Sequence, residues 1–234
     1  MAIYVTSDIH GDYKKYIQIF DKINFTDDDT LYVLGDVVDR GTGSIKILLD
    51  MMCRFNVIPI IGNHEYMAYY VLSKLVEEIT EETLANFNED FLVGMLSWTN
   101  ENGGENTLKE FQELSLENRQ AILEYLEEFT PYEEIRVNGT DYILVHSGLG
   151  NFKENKPLDS YTIDEMIWAG ADYNKIYYKN KILITGHTPV SVILNDISAD
   201  KILKQNNHIA IDCGCGYGKN LGVLCLDTMK EIYI

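Results

Sequence analysis

Short apolar runs, each halted by a glycine, a carboxylate or a histidine, recur along this chain and predict its strands. Ala2 to Thr6 is the first, a buried β-prone run that ends on Ser7-Asp8-Ile9-His10-Gly11. Beyond Gly11, Tyr13, Tyr16, Ile17 and Phe20 recur at i, i+3, i+4 and i+7, which predicts a helix over 13–23. Asn24 and Asp27-Asp28-Asp29 then form a turn. Thr30 to Leu34 is a second strand, running into Gly35-Asp36-Val37-Val38-Asp39-Arg40-Gly41. Ile45, Leu48, Leu49 and Met52 return to the helical period, and Val57 to Ile61 is a third strand leading into Gly62-Asn63-His64-Glu65. Strand and helix alternating in this way predict a βαβαβ unit, an α/β fold with right-handed crossovers.

The pattern changes between Tyr66 and Tyr132. Met67, Val71 and Leu75 mark one helix; Ile122, Leu126 and Phe129 mark another, capped by Ser115 and stopped before Pro131. Between them Trp98-Thr99-Asn100-Glu101-Asn102-Gly103-Gly104 reads as turn. No linker composition flanks the segment, so 66–132 is expected to be a helical insertion packed on a single domain spanning 1–234. The strand pattern then resumes, with Tyr142 to Val145 before His146-Ser147-Gly148 and Lys181 to Thr185 before Gly186-His187-Thr188. His208 to Asp212, Leu221 to Asp227 and Glu231 to Ile234 are expected as closing strands of an antiparallel edge, turned by the glycines from Gly214 to Gly222.

Charge changes the picture more than composition does. The 46% hydrophobic and 24% charged content is that of a soluble globular protein, but the net charge is -18. Such a balance excludes an electrostatic hold on nucleic acid or on an anionic membrane surface, both of which need clustered Lys and Arg. It also repels an anionic substrate unless bound cations invert the local field. No apolar run is long enough to span a bilayer and the first residues lack a charged and then apolar leader, so a cytoplasmic location is expected. Four cysteines make no disulfide framework in a chain of this length. Cys213-Gly214-Cys215 has one residue too few for a zinc-ribbon pair, while Cys53 and Cys225 sit in apolar contexts and read as small core residues.

The chemistry lies where the strands end. Histidines 10, 64, 146 and 187 each follow a predicted strand closely, and parallel strands carry such ends to one sheet edge. Asp8, His10, Asp36, Asn63, His146 and His187 make six oxygen and imidazole ligands without thiolate, which suits Mn, Fe or Zn. Six exceeds one tetrahedral site and suits two cations sharing a carboxylate, which can polarise a shared water and stabilise an in-line displacement at phosphorus. His64 adjoins Asn63 and can act as general acid towards the leaving oxygen, with Asp39 fixing its tautomer. Arg40 offers a planar fork for a phosphate. The alternative for the neighbours Asp39 and Arg40 is a surface ion pair, but both lie in the ligand-bearing loop, which favours the functional reading.

Together Asp8-Ile9-His10-Gly11, Gly35-Asp36-Val37-Val38-Asp39-Arg40-Gly41, Gly62-Asn63-His64-Glu65, His146-Ser147-Gly148 and Gly186-His187-Thr188 resemble the calcineurin-like metallophosphoesterases. The Asp-Arg-Gly and Asn-His-Glu elements are similar to the compact bacterial and phage form of the phosphoprotein phosphatase branch. The resemblance implies two packed mixed β-sheets flanked by helices. It implies a first metal on Asp8 and His10, a bridging Asp36, and a second metal on Asn63, His146 and His187. It also implies His64 as acid, Asp39 as its orienting partner, Arg40 as phosphate clamp and Mn as the activating metal, with Fe or Zn possible.

One departure stands out. Relatives carry a second phosphate-binding arginine two residues after a tryptophan, whereas here Trp168 is followed by Ala169 and Gly170. Lys175 is the nearest candidate replacement, and Gly170→Arg is expected to raise kcat/KM on aryl phosphates. The leading expectation is a dinuclear metal-dependent phosphatase acting on phosphomonoesters, phosphoserine or phosphothreonine of proteins in particular. The alternatives are a nucleotide polyphosphate or phosphodiester hydrolase resembling the diadenosine tetraphosphate hydrolases, and a metal-binding module with reduced turnover.

Overall fold

The alternation of strands and helices builds two five-stranded mixed sheets in the computed structural model, which describes residues 1–78, 80, 83 and 87–234. β1 (Ile3–Thr6), α1 (Tyr13–Ile23), β2 (Thr30–Leu34), α2 (Ser44–Met52) and β3 (Val57–Ile60) form the opening unit, its strands paired in parallel. Asp12 caps α1 by accepting from the Lys15 amide, and Asn24 ends it in the left-handed conformation that asparagine tolerates. α3 (Asn63–Leu75), α4 (Glu89–Leu96), a π-helical turn (Ser97–Glu101), α5 (Glu105–Gln112) and α6 (Leu116–Glu127) follow. Ser115 caps α6, as its sequence predicts.

The second sheet takes β4 (Tyr132–Val137), β5 (Thr140–Val145), β6 (Lys181–Thr185), β7 (Leu203–Gln205) and β8 (His208–Ala210), in the order β4-β5-β6-β8-β7. Short helices α7 (Ile163–Ile167) and α8 (Val190–Ile193) lie on its connections. β9 (Gly222–Cys225) and β10 (Glu231–Tyr233) return to the first sheet, whose order is β10-β9-β1-β2-β3.

Strand periodicity sorts side chains into layers. Leu31 and Val33 of β2 face the helices, in a core with Tyr16, Ile19, Leu48, Val71, Trp98, Phe111 and Ile122. Leu34 faces the other way, packing with Val5, Ile60 and Leu224 against Tyr142, Leu144, Ile184 and Ile209 of the second sheet. Ile143, Val145 and Leu183 line that sheet's outer face, beneath Ile167 and Tyr177. The result is helix, sheet, sheet, helix, as the family resemblance implies. The insertion shares the core of α1 and α2. Among the described residues no helix is long and apolar enough to cross a membrane.

Three expectations are corrected. β8 is no antiparallel edge strand: it pairs parallel to β6 inside the second sheet, because the chain crosses over through α8 and β7 before re-entering. β9 and β10 do form the antiparallel edge. β4 and β7 were not anticipated, since Tyr-Glu-Glu-Ile-Arg-Val is too acidic and Leu-Lys-Gln too short to show a strand pattern. Cys53 is exposed just beyond α2, whose buried stripe is Ile45, Ile47, Leu48 and Met51; Cys225 is buried as expected.

Candidate active site

All nine candidate residues come together where the parallel strands of both sheets end. Asp8 and His10 follow β1, Asp36, Asp39 and Arg40 follow β2, Asn63 and His64 open α3 directly after β3, His146 follows β5 and His187 follows β6. Six of them, Asp8, His10, Asp36, Asp39, Arg40 and His187, hold a positive φ. A non-glycine residue there costs about 1–2 kcal/mol, and such strain gathers where the surrounding structure enforces it for a purpose. Here it turns successive side chains toward one point. Gly62 and Gly186 let the main chain touch the carboxylates of Asp36 and Asp8, space that a Cβ would fill.

Glu65 holds the β2 loop in place. Its buried carboxylate accepts from the amides of Asp36 (2.8 Å), Val37 (2.7 Å), Val38 (3.1 Å) and Gly62 (3.0 Å). The sequence motif contained Glu65 without revealing this role. Asp8 takes the His187 amide at 3.1 and 3.0 Å and the Ser7 hydroxyl, tying the first sheet to the second.

The imidazoles fall into two kinds. His146 Nδ1 donates to the Leu34 carbonyl at 2.7 Å and His10 Nδ1 to the Val38 carbonyl at 3.1 Å. Both therefore present a bare Nε2 to the interior. His146 Nε2 lies 2.9 Å from Asn63 Oδ1, 3.2 Å from His187 Nδ1 and 3.3 Å from Asp36 Oδ1. His10 Nε2 lies 3.6 Å from Asp36 Oδ2 and 4.0 Å from Asp8 Oδ1. Lone pairs crowded into a buried pocket repel unless protons or cations lie between them. Asp36, with one oxygen toward each imidazole set, is the shared member. The donor set and its second-layer carbonyls fit two divalent cations of mixed N and O preference.

His64 is the other kind. Its Nδ1 donates to Asp39 Oδ2 at 2.7 Å, leaving Nε2 3.4 Å from Arg40 Nη2 and 3.8 Å from Asp36. Burial pushes the pKa of His10 down to about 3 and that of His187 to about 4, and lowers that of His146. Burial opposes charge on His64 too, but the Asp36 and Asp39 carboxylates outweigh it and its pKa is raised. Burial thus favours the neutral form of three imidazoles, the form that can bind a cation, while carboxylates favour the protonated form of the fourth.

Asp39 is fully buried and bonded inward, which removes the surface ion-pair alternative. Besides His64 it accepts from Trp98 Nε1 at 2.8 Å and Thr107 Oγ1 at 2.8 Å, while its amide donates to Ser44 and Thr107. Trp98 and Thr107 come from the helical insertion and escaped the sequence reading. So did Asp212, buried two residues past β8, where the misassigned strand hid it; it accepts from the Gly214 amide at 2.8 Å, and burial pushes its pKa up to about 7.

Arg40 stacks its guanidinium on Tyr217, 4.5 Å from the ring centre. Gly170 has φ +63° with open space around a notional Cβ, so an arginine there would fit only at a backbone cost. Lys175 makes no substitute: its ammonium lies over the rings of Phe152 and Tyr177.

A symmetrical bis(5'-nucleosyl)-tetraphosphatase of Wigglesworthia glossinidia brevipalpis is 32% identical over 101 residues, 42% of this chain and 37% of that protein. Its counterpart from Buchnera aphidicola subsp. Schizaphis graminum is 36% identical over 94 residues, 39% of this chain and 33% of that one. The match spans about a third of these relatives' length. A solved structure described as a candidate diadenosine tetraphosphatase has a TM-score of 0.67 at 16% identity, covering 99% of this chain and 92% of that one. A protein serine/threonine phosphatase from Saccharomyces cerevisiae has a TM-score of 0.58 at 15% identity, covering 97% and 72%. At such identities the likeness is one of fold. The family model for the calcineurin-like phosphoesterases matches residues 1–214, and the chain belongs to that family.

Proposed function

We propose that this chain is a dinuclear metal-dependent phosphoesterase that hydrolyses small phosphate compounds, dinucleoside polyphosphates foremost, with residues 1–234 working as one domain. The observation that carries the reading is the crowding of donor atoms from Asp8, His10, Asp36, Asn63, His146 and His187 beside the hydrogen-bonded His64–Asp39 pair. Asp8, His10 and Asp36 would hold one cation, and Asp36, Asn63, His146 and His187 the other, with Mn the expected metal and Fe or Zn alternatives. When bound, the cations supply Lewis acidity, which acidifies a water nucleophile and neutralises charge on the phosphoryl group.

The protein's own groups do the rest. Arg40 sets Nη2 3.4 Å from His64 Nε2, where phosphoryl oxygens can accept from the guanidinium in fork geometry. His64 hands its Nε2 proton to the leaving oxygen, which otherwise departs as an anion. Asp39 fixes the tautomer and stabilises the imidazolium before the transfer.

The activity named for the curated relatives supports dinucleoside polyphosphates, the alternative from sequence, ahead of the phosphoserine or phosphothreonine of proteins, the leading expectation there. A protein phosphomonoester remains the second reading, because Arg40 beside His64 suits a monoester dianion equally well. The test compares kcat/KM with Mn for diadenosine tetraphosphate, p-nitrophenyl phosphate, its bis-ester and a phosphothreonine peptide. The reading expects the dinucleotide to lead. A peptide that leads, or no turnover with Mn, Fe, Zn or Mg, contradicts it.

A further inference from the structure

A cleft of about 480 Å³ opens beside His10 and Arg40, and its lining is out of keeping with a chain of 37 acidic and 19 basic residues. Lys14 on α1, Lys46 on α2 and Arg40 all line it. Both lysines are exposed, and the charge of Lys46 acts on the Glu110 carboxylate, against the rise that burial gives its pKa. The single acid in the lining, Asp12, is engaged as the cap of α1 and lies 3.9 Å from Lys15 Nζ. The cleft floor is the Gly41-Thr42-Gly43 main chain at the start of α2, where the Glu110 carboxylate accepts from the Ile45 amide at 3.0 Å. Gly216 closes the far wall against His10 and Arg40, in room that a Cβ would take up.

Three cations along one cleft of an acidic chain favour an anion there. The cleft runs directly into the site through His10 and Arg40, so that anion is continuous with the scissile phosphate. A phosphomonoester of a protein side chain has no second phosphate to place there. A phosphoanhydride chain has.

We propose that the Lys14–Lys46–Arg40 cleft is a subsite for the phosphates beyond the scissile one, and that it selects nucleoside polyphosphates over simple monoesters. The proposal rests on the phosphoesterase reading of the adjoining site. Lys14 and Lys46 act here as specificity residues.

The test is the double variant Lys14→Gln/Lys46→Gln, assayed with Mn in excess so that chelation by nucleotide does not deplete the site. The quantity read is the ratio of kcat/KM for diadenosine tetraphosphate to that for p-nitrophenyl phosphate. The ratio is expected to fall about 10-fold or more on loss of two charge-assisted contacts. Lys201→Gln/Lys230→Gln, which removes the same charge elsewhere, should leave it unmoved. An unchanged ratio in the first variant, or an equal fall in the second, overturns the proposal. If neither substrate is turned over, the phosphoesterase reading fails, and calorimetric binding of a β,γ-methylene nucleoside triphosphate still reads the cleft. Affinity about 10-fold weaker in the double variant supports the subsite, and equal or absent binding in both proteins rejects it.

Discussion

The ligand cluster around Asp36 and the His64–Asp39 pair share one pocket but are braced by different parts of the chain. The cluster hangs on strand ends. His146 and His10 lean on main-chain carbonyls of the β2 region, Asp8 on the His187 amide, and Glu65 gathers the amides of the loop. The pair is braced from outside the sheets, by Trp98 and Thr107 of the helical insertion and Ser44 of α2. The first arrangement aims lone pairs by main-chain hydrogen bonds, while burial favours the neutral imidazoles. The second sets the Asp39 carboxylate, with Asp36 nearby, against one imidazole, and the two negative charges raise its pKa. The insertion therefore bears on the acid more than on the cations.

That contrast breaks most visibly at His64. His64→Asn should lower kcat by roughly 10²–10⁴-fold while Mn stoichiometry stays at the wild-type value, the loss expected for a general acid. An equal loss of metal would make His64 a ligand and merge the two regions. Asp39→Asn comes next, at about 10-fold in kcat near neutral pH, with a change in the pH profile. Asp36 and Asp39 hold the His64 pKa up against burial, so removing one carboxylate lowers it, and activity that needs the protonated ring is lost at lower pH than in the wild type. A profile that keeps its alkaline limb in place would sever Asp39 from the acid.

Trp98→Phe should cost less, about 1 kcal/mol or several-fold in kcat, for one hydrogen bond to Asp39. Its sign in the profile is opposite. With one donor fewer the carboxylate binds the His64 proton more strongly, and the alkaline limb moves to higher pH. A purely packing role would change stability and leave the limb alone. The smallest effect belongs to Gly170→Arg, which restores a cation the family pattern carries but must hold it at φ +63°. A rise of a few-fold in kcat/KM on p-nitrophenyl phosphate is expected, with about 1 kcal/mol lost from thermal stability. No gain in rate would show that this loop does not deliver residue 170 to the phosphate.

How far each region could be read from the sequence follows from how it is built. A buried parallel strand announces itself as an apolar run, and a polar residue right after it has its position fixed by the sheet; that is why Asp8, Asp36, Asn63, His146 and His187 were legible before any coordinates. Asp212 obeys the same rule and was lost because its strand was extended over it. The bracing of Asp39 left no such trace. Asn100, Asn102, Gly103 and Gly104 made the stretch around Trp98 read as turn, yet it folds as a π-helical turn with the indole buried against Asp39. Thr107 lies on α5 as one threonine among polar neighbours, 68 residues from its partner. Contacts of that range depend on how α5 packs against α2, which local periodicity does not encode.

The most direct test of the account is the number of Mn ions held per chain, measured by equilibrium dialysis with elemental analysis on the wild type and on Asp36→Asn. The account predicts two per chain in the wild type and weakened retention of both in the variant, because Asp36 faces both imidazole sets. A single ion, or two that survive the substitution undiminished, would contradict it.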